Sequence, residues 1–291
     1  MKQKYQVRSD FADEFIKQKA LSKTYEHIEK ENAYIKSNYI KVNVDENELG
    51  KRKGDYVSIE CKNLDDHKNR EAMIAAIVQS LEHMSHHMKL KIKKVLVVGL
   101  GNRFITSDAL GPKAASEILV TAHLYEHEDH KILKGTRNVA VLIPGVMGQT
   151  GLESFAIIES VANMYQPDLI LVIDALATRN ISRINRVVQL NNTGIQPGSG
   201  VGNHRLSISK ESLGIPVIAI GVATVTSIGA ILNEAFEHSD IEQDEIMNSI
   251  IAQEHLDLVV TPKAMDDELK HLTYIVSESL NTYLHPNYKN L

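Results

Sequence analysis

Two aspartates have the type and setting to do chemistry. Asp108 lies in Ser107-Asp108-Ala109-Leu110-Gly111-Pro112, downstream of the turn Gly99-Leu100-Gly101-Asn102, and Asp174 follows the apolar run Leu169-Ile170-Leu171-Val172-Ile173. A carboxylate at the end of a buried strand must find partners or shift its protonation, because an unpaired buried charge is costly. Two carboxylates held close together do not both ionise easily. One then keeps a proton and serves as an acid, while the other, as a base, activates water. That is the chemistry of an aspartic-type hydrolase. Each residue also has a plainer role open to it: Asp108 could cap a helix and Asp174 a turn.

Two glycine-rich segments would let backbone amides approach a ligand in the same cleft. They are Pro144-Gly145-Val146-Met147-Gly148-Gln149-Thr150-Gly151 and Thr193-Gly194-Ile195-Gln196-Pro197-Gly198-Ser199-Gly200-Val201-Gly202-Asn203. Other chemistries fit less well. A dinucleotide loop would need glycine where Phe104 stands, and the acidic residue expected further along is missing near Val120. Ser199 lacks the flanking glycines of a nucleophile elbow. His83 with His87, and His123 with His127, have i,i+4 spacing, but no H-E-x-x-H occurs, so solvated helix faces are the better reading and no metal or cofactor is expected. Lys51-Arg52-Lys53 reads as a solvated turn.

The elements that must position these residues follow from hydrophobic period. Short β-branched runs at 95–100, 139–143, 168–173 and 217–222 alternate with helix-length segments at 111–124, 151–165 and 227–237. Uniformly apolar strands between helices predict an α/β fold, a doubly wound, mostly parallel sheet with helices on both faces. Ligands in such sheets sit outside the carboxyl ends of the strands, where both aspartates fall. Before this, 39–44 and 55–60 read as two short strands and the stretch after Asp66 as a helix to about His87. A last helix is expected over 263–283. The opening segment to Lys36 is charge-rich and reads as strand-poor.

Composition removes several function classes. The 291 residues carry a net charge of −5 and a sequence pI near 6.2, which argues against a protein that grips nucleic acid phosphates. Tryptophan is absent and aromatics make up only 5%, leaving little for base-stacking platforms. No apolar run is long enough for a membrane-spanning helix, and residues 1–10 show no apolar core of a secretory signal, so an intracellular protein without membrane contact is expected. Cys61 is alone, which excludes an internal disulfide and a cysteine zinc site.

Taken in order, the blocks Gly99-Leu100-Gly101-Asn102, Ser107 to Pro112, Pro144-Gly145-Val146-Met147-Gly148, Asp174-Ala175-Leu176-Ala177, Pro197 to Asn203 and Val260-Thr261-Pro262-Lys263 resemble the germination (spore) proteases. These are atypical aspartic endopeptidases that degrade small acid-soluble spore proteins. The resemblance implies a self-processing zymogen acting in the forespore and spore core, a homotetramer, and a fold similar to the hydrogenase-maturation peptidases. The essential carboxylates would be Asp108 and Asp174, supported by loops containing Gly99, Gly101, Asn102, Gly145, Gly148, Gly198 and Gly200. Family substrates are cut after the acidic residue of a motif like Thr/Ser-Glu-Phe/Ile-Ala. Ser9-Asp10-Phe11-Ala12 looks like that motif, so residues 1–10 are expected to be a propeptide, cut between Asp10 and Phe11, and residues 11–291 a single peptidase domain. Arg103, Arg179 and Arg183 flank the cleft loops and are candidates for a pocket that reads the acidic side chain. Three positions depart from the family pattern: Ser107 and Ala223 where proline is usual, and Ser227 where aspartate is. Two alternatives stand beside this reading, a metal-dependent peptidase of the hydrogenase-maturation type and a catalytically silent binding module for disordered proteins.

Overall fold

The computed structural model describes residues 9–16, 22–127, 133–197, 206–237 and 253–286. Nine strands among them form one sheet in the order β1-β2-β3-β7-β8-β6-β4-β5, with β9 beside β8. They are β1 (Tyr25–Glu31), β2 (Ile35–Val42), β3 (Gly54–Cys61), β4 (Lys94–Gly99), β5 (Asn138–Leu142), β6 (Leu169–Ala177), β7 (Val187–Asn191), β8 (Val217–Ser227) and β9 (Val259–Val260). The pairings β4/β5, β4/β6 and β6/β8 are parallel, and those of β1/β2, β2/β3, β3/β7 and β7/β8 are antiparallel. The sheet is therefore mixed: a parallel half and an antiparallel half meet between β8 and β7.

Strand alternation divides the core into two layers. Val95, Val97, Leu169, Leu171 and Ile173 face helices α1 (His67–His87), α2 (Leu110–Ser116) and α5 (Met265–Leu284). Leu96, Val98, Ile170 and Val172 face Ile158 and Ala162 of α3 (Ser154–Tyr165) on the other side. Helices on both faces of strands apolar throughout are the α/β class expected. Helix α4 (Ile228–Glu237) follows β8. No helix among the described residues is long and apolar enough to cross a membrane.

Several elements differ from the pattern-based expectation. The opening segment is not strand-poor, since β1 and the first residues of β2 lie within it. Of β1 only Tyr25 is buried, so the strand carries no alternation to read. The helix expected over 111–124 ends at Ser116. The β-branched stretch beyond it is held instead by Thr121, whose hydroxyl accepts from Val139 N at 3.0 Å. The 3₁₀ turn Thr106–Asp108 leads into α2, which packs against the end of β4 at Gly111. A Cβ there would lie 2.1 Å from Leu100 O and 2.6 Å from Ile173 O, so only glycine permits this approach.

Candidate active site

Asp174 lies inside β6 rather than after it, on the face of Ile170 and Val172, and is 6% exposed. Its Oδ1 accepts from Ala175 N at 2.9 Å. In register beside it stands Gly221 of β8, and beside that Gln189 of β7, so one row across the sheet reads Asp174, Gly221, Gln189. Asp108 does not cap α2. The cap position is Ala109, without a side-chain bond, and Asp108 Oδ2 turns back to accept from Asn102 N at 2.7 Å. Gly101 makes room for this return: its φ is +113°, and a Cβ on it would sit 2.1 Å from Asp108 O.

Both aspartates line one cavity of about 270 Å³, together with Leu100, Gly101, Ser107, Gly145 and Asp10. The remaining loop residues act around it. Asn102 Oδ1 accepts from Gln149 Nε2 at 2.6 Å, tying the first glycine loop to the second. Gly145 has φ +70°, and its carbonyl accepts from Ser154 Oγ at 3.0 Å. Gly99 packs against α2, and Gly148 faces open space. Gly198 and Gly200 lie outside the described residues.

The N-terminal segment docks against this site. Asp10 N donates to Ala177 O at 3.0 Å, and Ala177 N donates to Asp10 Oδ2 at 2.9 Å. Phe11 is fully buried among Leu176, Val187 and Ala223, and Ala12 is fully buried among Tyr25, Ile40, Val42, Leu49 and Tyr56. Glu14 accepts from Thr178 Oγ1, from Arg179 N at 3.0 Å and from Ser9 Oγ.

The three arginines are placed differently from one another. Arg183 is 7% exposed and grips Asp13 through two bonds, at 3.1 and 2.8 Å, and Glu14 at 3.0 Å, with Glu60 3.5 Å away. Burial works against its charge, but the attraction of Asp13, Glu14 and Glu60 outweighs this and raises its pKa. Its guanidinium also lies 4.9 Å from the centre of the Phe11 ring. Arg179 stacks on Phe15 at 5.4 Å. Arg103 is exposed at the loop tip.

Two contacts to the N-terminal segment have no counterpart in the sequence reading. Lys51 is not part of a solvated turn: its Nζ donates to Asp10 O at 2.9 Å and to Ser9 O at 3.2 Å. Burial pushes its pKa down, against the pull of Asp10, Glu14 and Asp13. Gln189 donates from Nε2 to Asp10 O at 3.0 Å and accepts at Oε1 from Ala12 N at 2.8 Å. A glutamine inside the apolar run Val187-Val188-Gln189-Leu190 was the available signal. Nothing local marks Lys51 out from its two basic neighbours.

The departures from the family pattern have local accounts. Ser107 lines the cavity, and its carbonyl accepts from Thr224 Oγ1 at 2.7 Å. Ala223 packs on Phe11. Ser227 Oγ accepts from Ala230 N at 3.0 Å, the capping bond that an aspartate would make at the start of α4. Elsewhere, burial pushes the Cys61 thiol up to about 11, which leaves it a poor nucleophile. His87 Nδ1 pairs with Asp55 at 2.7 Å, and among the described residues no three His, Cys, Asp or Glu side chains gather as a metal would need.

The chain is similar to known proteins over most of its length. A family model described as germination protease matches residues 5–239. The germination protease of Caldanaerobacter subterraneus subsp. tengcongensis is 38% identical over 268 residues, covering 83% of this chain and 81% of that one. That of Clostridium tetani is 37% identical over 272 residues, with 83% and 81% covered. That of Priestia megaterium is 42% identical over 213 residues, with 72% and 58% covered. Among solved structures, a NiFe hydrogenase maturation protease from Thermococcus kodakarensis aligns with a TM-score of 0.35 and 17% identity, covering 65% of this chain and 94% of that one. On the family model and these relatives, the chain belongs to the germination protease family, and its activity is that of a peptidase.

Proposed function

We propose that the protein is an aspartic-type endopeptidase, a zymogen that cuts itself between Asp10 and Phe11 and then cleaves small acid-soluble spore proteins after acidic residues, in the forespore and spore core. One observation carries this reading: Asp10 borders the cavity that Asp108 and Asp174 both line, with the peptide that follows it fixed on both sides. Three residues of Ser9-Asp10-Phe11-Ala12 have a seat of matching chemistry. The acidic side chain meets the Ala177 amide, Phe11 an apolar pocket, and Ala12 a fully enclosed apolar site. A spore protein carrying the same motif would fill the same seats once residues 11–16 have moved out of them.

In the reaction, one carboxyl of the pair takes a proton from water as its oxygen attacks the Asp10 carbonyl carbon. The other gives a proton to Phe11 N as the C–N bond breaks. The products are a carboxyl at Asp10 and a new amino terminus at Phe11. Intact mass measurement of the full chain at mildly acidic pH tests this. Loss of residues 1–10 in the native chain, and a stable full-length chain for Asp108→Asn and for Asp174→Asn, is the expected result. A native chain that stays whole, or a carboxylate variant that still matures, would sink the reading.

A further inference from the structure

Asp10 borders two cavities. Beside the one that holds the acids lies another, of about 150 Å³, lined by Asp10, Lys51, Tyr56, Leu176, Gln189 and Gly221. The Asp10 carbonyl oxygen accepts there from Lys51 Nζ at 2.9 Å and from Gln189 Nε2 at 3.0 Å. Gln189 is 2% exposed and uses both ends of its amide on the peptide groups flanking Phe11, the second being Ala12 N–H at 2.8 Å. It also stands two strands from Asp174 in the same row, with Gly221 between them, whose missing side chain leaves room for that of Leu176. A polar side chain in this position costs stability unless it is fully bonded, and a charged amine taken from water costs more.

We infer that Lys51 and Gln189 are catalytic residues of the peptidase, which hold the carbonyl oxygen of the residue before the cut and stabilise the negative charge that oxygen acquires. This rests on the reading that Asp10–Phe11 is the bond cut. As water attacks, the π pair of the carbonyl moves onto the oxygen, and the resulting oxyanion lies against an ammonium and an amide N–H already aimed at it. When the pair returns to re-form the C=O bond, the C–N bond breaks and Phe11 N takes the proton from the acid. Donors fixed beforehand, in a site poor in water, stabilise this charge far better than solvent does. The acids of the parallel half thus handle water and proton, and the antiparallel half handles the oxyanion.

An anchor that only ties the N-terminal segment down would make the same ground-state bonds, so the test must separate docking from rate. In the full-length chain, the first-order rate of cleavage at Asp10–Phe11 is read by intact mass, and docking of residues 9–16 by hydrogen exchange. Gln189→Glu keeps an acceptor for Ala12 N–H and loses the donor to the carbonyl. It should slow cleavage about 100-fold while residues 9–16 stay protected. Lys51→Met should do the same, and Lys51→Arg should recover part of the rate. Rates within about threefold of the native chain in both Gln189→Glu and Lys51→Met, against the 100-fold effect typical of a lost oxyanion donor, would overturn the inference. So would rates that fall only in step with lost protection. A native chain that never cuts at Asp10–Phe11 removes the functional reading and this inference together. A native chain that cuts normally while both variants match it removes this inference alone.

Discussion

In the proposed reaction the parallel and antiparallel halves of the sheet do different work. In the parallel half, β5-β4-β6-β8, the three inner strands are buried almost throughout, and the half brings Asp108 and Asp174 to one cavity at its carboxyl edge. The antiparallel half, β7-β3-β2-β1, supplies Gln189, Lys51 on the approach to β3, and the hollow that receives Ala12. The N-terminal segment lies across the seam, bonded to Ala177 of β6 on one side and to Gln189 of β7 on the other. In the proposed reaction the reacting groups thus come from the parallel strands, and the grip on the peptide comes from the antiparallel ones.

The largest expected effect would break this division outright. Asp174→Asn keeps the shape of the side chain and its acceptor for Ala175 N but removes the carboxylate, so peptide cleavage should fall by about 10³-fold with thermal unfolding little changed. If cleavage persists, Asp174 takes no part in the chemistry and the paired-acid reading of the parallel half fails. Next in size is Arg183→Leu. It leaves Asp13 and Glu14, 6% and 4% exposed in their side chains, without their cation, and such a loss costs about 3 kcal/mol. Urea unfolding should show that loss, and limited proteolysis should find residues 9–16 newly accessible. A native-like melt would mean that charge does not hold the segment to the antiparallel half.

Gly111→Ala probes the other half without touching a reacting group. Its added methyl would press on the backbone oxygens of Leu100 and Ile173, which cannot rotate away as a side chain would. Overpacking of this kind costs about 2 kcal/mol, and the shift of α2 should carry Asp108 with it. Thermal stability and cleavage rate should therefore fall together, in contrast to Asp174→Asn, where only the rate falls.

The two halves also differ in how far they could be read from residues alone. The runs at 95–100, 139–143, 168–173 and 217–222 all became strands; burial on both faces leaves an unbroken apolar signature in three of them, and the edge strand β5 keeps it while half-buried. Their ends were less legible. β6 continues through Asp174 to Ala177 since its partner β8 continues beside it, a fact of pairing rather than of pattern. β1 escaped notice as an edge strand with charged, exposed side chains, the usual way of blunting an edge. Lys51 escaped for a different reason: its partner carbonyl lies 41 residues earlier in the chain, and a run of basic residues looks the same whether it points at water or at a peptide.

Glu60 gives the smallest effect and the finest view of the seam. It lies on β3 with one oxygen 3.5 Å from Arg183 Nε, and burial raises its pKa from the ordinary 4.5, with Arg183 opposing and Asp13 adding to the rise. A carboxyl whose folded pKa is raised contributes stability while protonated. That contribution is complete below pH 4.5 and is lost as pH climbs through the folded value. Glu60→Gln stays neutral throughout, so its stability should decline less than the native chain's as pH rises from 4.5 towards neutrality. Solvent reaches part of this side chain, so the difference should stay near 0.5 kcal/mol, about the worth of a partly exposed pair. Urea titrations at several pH values would resolve it. A native chain that instead gains stability over Glu60→Gln as pH rises would show that Arg183 needs three carboxylates rather than two. Charge balance, beyond the two bonds to Asp13, would then tie the N-terminal segment to this half of the sheet.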